Sequence, residues 1–191
     1  MFPMEAHEDD DLALVMGMPR RELFTVRGFV TAIDLAVLNS LEDESWFATA
    51  AILADDVEAK EVQVGVVFSR ESQVLLNEDG IIMHVATVPA EAMELGPVLR
   101  SLRDLARMGA EQMMDAQARS VTLRGYFNDD HMESVRPYFI MVYEVVFAAD
   151  TPAPQGYSWV DRRHLRDVAL EPLSIQIAEG LNPVRKPSDE G

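Results

Sequence analysis

The chain has 191 residues, a formal net charge of −17 and 48% hydrophobic residues, which fits one domain of ordinary size with enough apolar content for a core. The acidity excludes nucleic acid and anionic membrane surfaces as main partners, because both are bound through Lys and Arg. The absence of cysteine excludes disulfides, zinc–thiolate sites and cysteine nucleophiles together.

Residues 1–18 read as an acidic, flexible lead-in. The run Glu8-Asp9-Asp10-Asp11 repels itself, and Gly17 breaks the short apolar segment after it. His7 beside that run belongs to a solvated tail rather than to a metal site. The segment lacks the apolar core of a signal peptide, and no apolar run is long enough to span a bilayer, so a cytoplasmic location and no membrane contact are expected.

Residues 19–30 read as a short strand and turn. A helix is predicted over 31–47, with Ile33, Val37, Leu38, Leu41 and Trp46 on its apolar side, Thr31 as N-cap and Glu42-Asp43-Glu44 at its exposed end. Residues 48–60 read as a connection. In 61–70, Val62, Val64, Val66 and Phe68 alternate at the strand period. Two further strands, 73–76 and 81–88, flank Asn77-Glu78-Asp79-Gly80, a hairpin signal because Asp-Gly tolerates positive φ. His84 alternates with Met83 and Val85, which directs it away from the core in a structural or surface role.

The chain's longest helical stretch is 96–119. Val98, Leu99, Leu102, Leu105, Met108, Met113 and Met114 make one apolar stripe at helical spacing, and Pro97 suits a first turn. Arg100, Arg103 and Arg107 recur along the helix; they can meet a phosphate, although pairing with nearby carboxylates is the commoner use. After the helix come a strand at 121–127, the loop Asn128-Asp129-Asp130-His131, and a strand at 138–147 whose aromatic and β-branched content predicts burial on both faces. The loop reads first as an Asx-type turn capped by short polar side chains, with a metal or acid–base role as the alternative. Glu144 interrupts the buried strand, so it needs a partner, a metal or the rim of the sheet. A proline-rich loop precedes a strand at 157–160, a turn at 161–166 and a terminal helix at 172–181. The expected domain organisation is the lead-in at 1–18, one domain over 19–182 and a polar tail at 183–191. The fold class is α+β: an α/β/α sandwich with a mixed sheet and one long central helix.

Several local patterns resemble the Nudix superfamily, and more narrowly its MutT-like phosphoesterase group. They are Pro19-Arg20-Arg21-Glu22-Leu23-Phe24 at the entry, Tyr126-Phe127-Asn128-Asp129-Asp130 after the helix, Gly156-Tyr157-Ser158-Trp159-Val160 with Leu165 beyond it, and Glu171-Pro172-Leu173-Ser174 at the last helix. The resemblance implies a central helix whose glutamates, in an Arg-Glu-aliphatic-x-Glu-Glu element, hold magnesium or manganese for pyrophosphate hydrolysis. Here that box is degenerate. One register places its Arg-Glu-aliphatic on Arg103-Asp104-Leu105 and its metal pair on Arg107 and Met108. The other places the arginine on Arg107 and the pair on Glu111 and Gln112, and gains Asp115 one turn beyond Glu111. Neither supplies the upstream glycine and glutamate.

A degenerate domain without conventional hydrolase activity is therefore expected, needing no cofactor and binding a small molecule or a protein, with Arg103, Arg107, Asn128, Asp130 and His131 as ligand-binding candidates. The alternative is a metal-dependent Nudix-type pyrophosphohydrolase acting on a nucleoside diphosphate derivative. It would use Glu111, Asp115 and Glu144 in catalysis, and Glu111, Asp115 and Asp129 to hold Mg or Mn. Phe2, Phe24, Phe29 and Trp46 suit either a homodimer contact or burial within the same chain.

Overall fold

The computed structural model describes residues 13–23 and 26–181. The acidic run at 8–11, the tail at 183–191, and Phe2 and Phe24 lie outside the described residues. The strands are β1 (Leu14–Pro19), β2 (Gly28–Val30), β3 (Trp46–Thr49), β4 (Ala59–Arg70), β5 (Gln73–Asn77), β6 (Met83–Thr87), β7 (Ser120–Asn128), β8 (Tyr138–Val146) and β9 (Tyr157–Asp161). The α-helices are α1 (Leu35–Glu44), α2 (Ala50–Asp55), α3 (Val98–Met114) and α4 (Pro172–Leu181), with short 3-10 turns at Arg20–Leu23, Ala90–Leu95 and Arg162–Asp167.

One nine-stranded mixed sheet runs β2-β7-β8-β4-β1-β3. β4 is its axis. One edge of β4 pairs in parallel with β8, from Glu61↔Tyr138 to Ser69↔Val146. The other edge is shared in succession by β1, β6 and β5, and β9 extends beyond β5.

Helices cover both faces, as the α/β/α expectation requires. On one face Val62, Val64, Val66, Phe68, Phe139, Met141 and Tyr143 pack with Leu102, Ala106 and Ala110 of α3 and with Val37 and Leu41 of α1. On the other, Val67, Ile140 and Val142 pack with Leu165 and with Ile177, Ala178 and Leu181 of α4. Burial on both sides explains the apolar run of β8, which Glu144 alone interrupts. Among the described residues, no helix is long and apolar enough to cross a membrane.

Several sequence expectations are corrected. Part of the 1–18 lead-in is β1, with Val15, Met16 and Met18 buried. Gly17 does not break this strand. A Cβ there would lie 2.7 Å from Leu53 Cδ2, so glycine permits close packing of α2. The first helix is shorter than 31–47 and is capped by Asp34, whose Oδ1 accepts from Ala36 N at 2.8 Å. The 48–60 connection contains the end of β3 and all of α2. The turn at Asn77 forms, with Gly80 at φ +78°, but no hairpin grows from it, because β6 pairs with β4 and β5 with β9. His84 does not turn away from the protein; its ring packs edge-on against Phe68 at 5.3 Å and beside Tyr157 at 5.3 Å. Phe29 packs against the α4-side core and Trp46 against Val15, Leu53 and Ala59, so both are used within the chain.

Candidate functional site

Helix α3 begins after Pro97 and ends at Met114, five residues short of the expected 119. Asp115 closes it in the left-handed conformation (φ 46°, ψ 42°). Its buried side is made by Leu102, Ala106, Ala110 and Met114, with Val98, Leu99, Leu105 and Met113 partly buried beside them. Met108 is corrected: it is 58% exposed. The two alanines let the helix approach the sheet, a contribution that a search for large apolar residues overlooks.

The helix start is built from a distance. Both oxygens of Glu42, on α1, accept backbone hydrogen bonds: Oε2 from Val98 N at 3.0 Å and Oε1 from Leu99 N at 2.9 Å. A carboxylate suits this end, where free N–H groups and the helix dipole favour negative charge. Glu42 is thus not part of an exposed helix end, and no local pattern in the sequence identifies it as the cap.

The exposed face of α3 carries arginines. Arg100, Arg103, Asp104 and Arg107 line one shallow hollow. Asp104 lies 3.8 Å from Arg100 Nε and 3.3 Å from Arg107 Nη2. Arg103 pairs with no carboxylate among the described residues, and its charge acts on Tyr143 in β8. Burial nevertheless holds the Tyr143 phenol far above its ordinary range.

The proposed metal and catalytic carboxylates are not assembled around this face. Glu111 Oε1 accepts from Ala118 N at 3.0 Å, fastening the turn after the helix. Asp115 is exposed at the left-handed cap. The loop at 128–131 lies at the far end of β7; at a strand rise of ~3.3 Å per residue, Ser120 and Asn128 stand roughly 26 Å apart. Glu111 and Asp115 therefore do not share a cleft with Asp129. Glu144 alternates with Tyr143 and Val145, which face α3, so it faces the α4 side. There it is ion-paired with Arg162 and approached by Arg124 Nη1 at 3.6 Å. Among the described residues, no group of three His, Cys, Asp or Glu side chains is placed to hold a metal ion. These donors are committed to backbone amides, exposed or matched by arginines, and they do not fit the magnesium or manganese centre that the family resemblance implies.

The loop candidates form a separate polar cluster. Asn128, buried, donates from Nδ2 to Val26 O at 2.8 Å and Leu23 O at 3.3 Å. Asp129 Oδ1 accepts from His131 N at 2.9 Å, the Asx turn expected of the sequence. Asp130 Oδ1 lies 2.8 Å from the amine of Lys60, whose side chain is 0% exposed, and 3.7 Å from Arg20 Nη2. Burial pushes the Lys60 amine below its ordinary range against the opposing pull of Asp130. Burial alone would raise the Asp130 carboxyl, but Lys60, Arg20 and Arg136 outweigh it and hold it below the usual range. His131 is exposed. The structure thus groups Arg103 with Arg107 on α3, and Asn128 with Asp130 and His131 at the loop, as two separate places.

No protein-family model matches the chain, and no curated protein matches it in sequence. Among solved structures it is similar to Tm1382, provisionally assigned as a Nudix hydrolase, with a TM-score of 0.71 and 17% identity over 88% of this chain and 97% of that one. It also matches a provisionally assigned oxidoreductase from Sinorhizobium meliloti (TM-score 0.42, 14% identity, 71% of this chain and 46% of that one). A NUDIX-family hydrolase from Clostridium perfringens matches with a TM-score of 0.36 and 14% identity, over 63% of this chain and 95% of that one. The last two scores are too low to carry an argument. The likeness to Tm1382 extends over nearly all of both chains, and the fold is Nudix-like.

Proposed function

We propose that this chain is a Nudix-like domain whose central helix binds an anionic small ligand directly, without the metal-dependent hydrolysis associated with the fold. One observation carries the reading. Along its exposed face α3 presents Arg100, Arg103 and Arg107 around the single acid Asp104, and in one register of the degenerate box Arg107 stands where the family resemblance calls for a metal-binding glutamate. Guanidinium groups at helical spacing suit phosphate or carboxylate oxygens, which they can bind in bidentate fashion. In a chain of net charge −17 a face with three arginines and one acid repels an anion less than the acidic surface at large.

The test is a turnover assay on nucleoside diphosphate derivatives with Mg or Mn. No turnover is expected, and Glu111→Gln should change none of the metal response. Metal-dependent turnover abolished by Glu111→Gln would instead establish the hydrolase reading.

A further inference from the structure

On the opposite face of the sheet from the α3 arginines, a cavity of about 620 Å³ lies between the 3-10 turn Arg162–Asp167 and α4. That is within the range of roughly 300–1,000 Å³ typical of small-molecule sites. Its walls are aliphatic, including Leu165, Val168, Leu170 and Ile175, and Arg162 and Arg166 stand in the same lining. We propose that this cavity binds an amphiphilic carboxylate, with its hydrocarbon part against the aliphatic wall and its anionic head on the two arginines.

Three observations support this assignment. Ile175 is 45% exposed, although its neighbours Ser174, Ile177 and Ala178 on α4 are buried, so the apolar wall reaches open space. Arg162 has a buried Nε with no hydrogen-bond partner, a donor that lacks an acceptor within the protein. Finally, the charges at this end favour an anion. Buried Glu144 is already matched by both Arg162 and Arg124, and Arg166 adds a further positive charge. Glu179, on the α4 side, is the one acid in the lining, and Asp167 closes the same turn beside Arg166. Hydrophobic burial would supply the affinity and the guanidinium groups the choice of head group.

Calorimetric titration of the full chain with decanoate and with decanol separates head from tail. Decanoate is expected to bind at least roughly tenfold tighter than decanol, the scale of one charge-assisted hydrogen bond. Arg166→Gln should remove most of that preference, lowering decanoate affinity far more than decanol affinity. Glu179→Gln should strengthen decanoate binding, and Ile175→Asp should weaken both probes. Arg166, Glu179 and Ile175 are all exposed, so these variants leave the core intact, and a thermal melt of each confirms folding. Equal affinity for the two probes, no binding of either, or a preference untouched by Arg166→Gln would overturn the assignment. Arg103→Gln lies on the other face and should not alter decanoate binding, so this result stands or falls apart from the α3 reading.

Discussion

The Lys60 amine, at 0% exposure, lies 2.8 Å from Asp130 Oδ1, and this pair ties the start of β4 to the loop after β7. The partners are unequal, because Asp130 is 38% exposed and Lys60 is fully enclosed. Removing the acid leaves a buried charge unmatched, whereas removing the lysine leaves an acid that water can solvate. Asp130→Ala is expected to destabilise the protein by about 1–2 kcal/mol, limited by the partial exposure of the acid. Lys60→Met, similar in volume, should cost less or stabilise. Urea denaturation of both single variants and the double variant measures the coupling; equal losses from the two single changes would refute the asymmetry.

Glu42 supplies the N-terminal cap of α3 across the α1–α3 contact. Glu42→Ala should therefore cost about 1–2 kcal/mol and accelerate amide exchange at Val98 and Leu99. Glu44 is the control: its ion pair is with Arg21, and both side chains are more than a third exposed. Glu44→Ala should change stability by less than about 1 kcal/mol. Unchanged exchange at Val98 in Glu42→Ala would show that the cap is dispensable.

His84 gives a pH dependence of known sign. Burial holds its imidazole below its ordinary value, near 6.5, so the unfolded chain takes up the proton at higher pH than the folded one. Stability is full above the ordinary value and is lost as pH falls from there through the folded value. His84→Phe should reduce this loss, since a phenyl ring keeps the packing against Phe68 and Tyr157 and has no proton to gain. The comparison is the urea midpoint at pH 7.5 and 5.5; an identical pH slope in both proteins would show that His84 does not set the dependence.

Glu111 separates a structural from a metal-binding role. Its carboxylate accepts from Ala118 N, so Glu111→Gln, which retains an acceptor oxygen, should cost less than about 1 kcal/mol, and Glu111→Ala about 1 kcal/mol. Added Mg or Mn should leave the melting temperature of the parent and both variants unchanged. A metal-dependent rise that disappears in Glu111→Gln would restore the carboxylate to a metal site.

The sequence made the sandwich legible because its main signals are local: alternation in β4, the apolar run of β8, and the terminal helix at 172–181, which matches α4. Pairing was less legible. β5 and β6 flank a genuine turn at Asn77 and Gly80, yet they do not pair with each other, because both lie in succession along one edge of β4, and β5 pairs beyond it with β9. The long-range contacts of the candidate sites left even less trace. Nothing near Glu42 points to Val98, and nothing near Glu144 points to Arg162. The basic cluster Arg162, Arg163 and Arg166 in an acidic chain was the available signal for the α4-side cavity, but it resembles an ordinary polar turn.

Titration with inorganic pyrophosphate in the presence of EDTA measures metal-free anion binding by the α3 arginines most directly. Binding is expected without metal, weakening as salt rises, and falling at least roughly tenfold in Arg103→Gln/Arg107→Gln, as loss of charge-assisted hydrogen bonds requires. Binding that appears only with Mg or Mn and survives the double arginine substitution would contradict it.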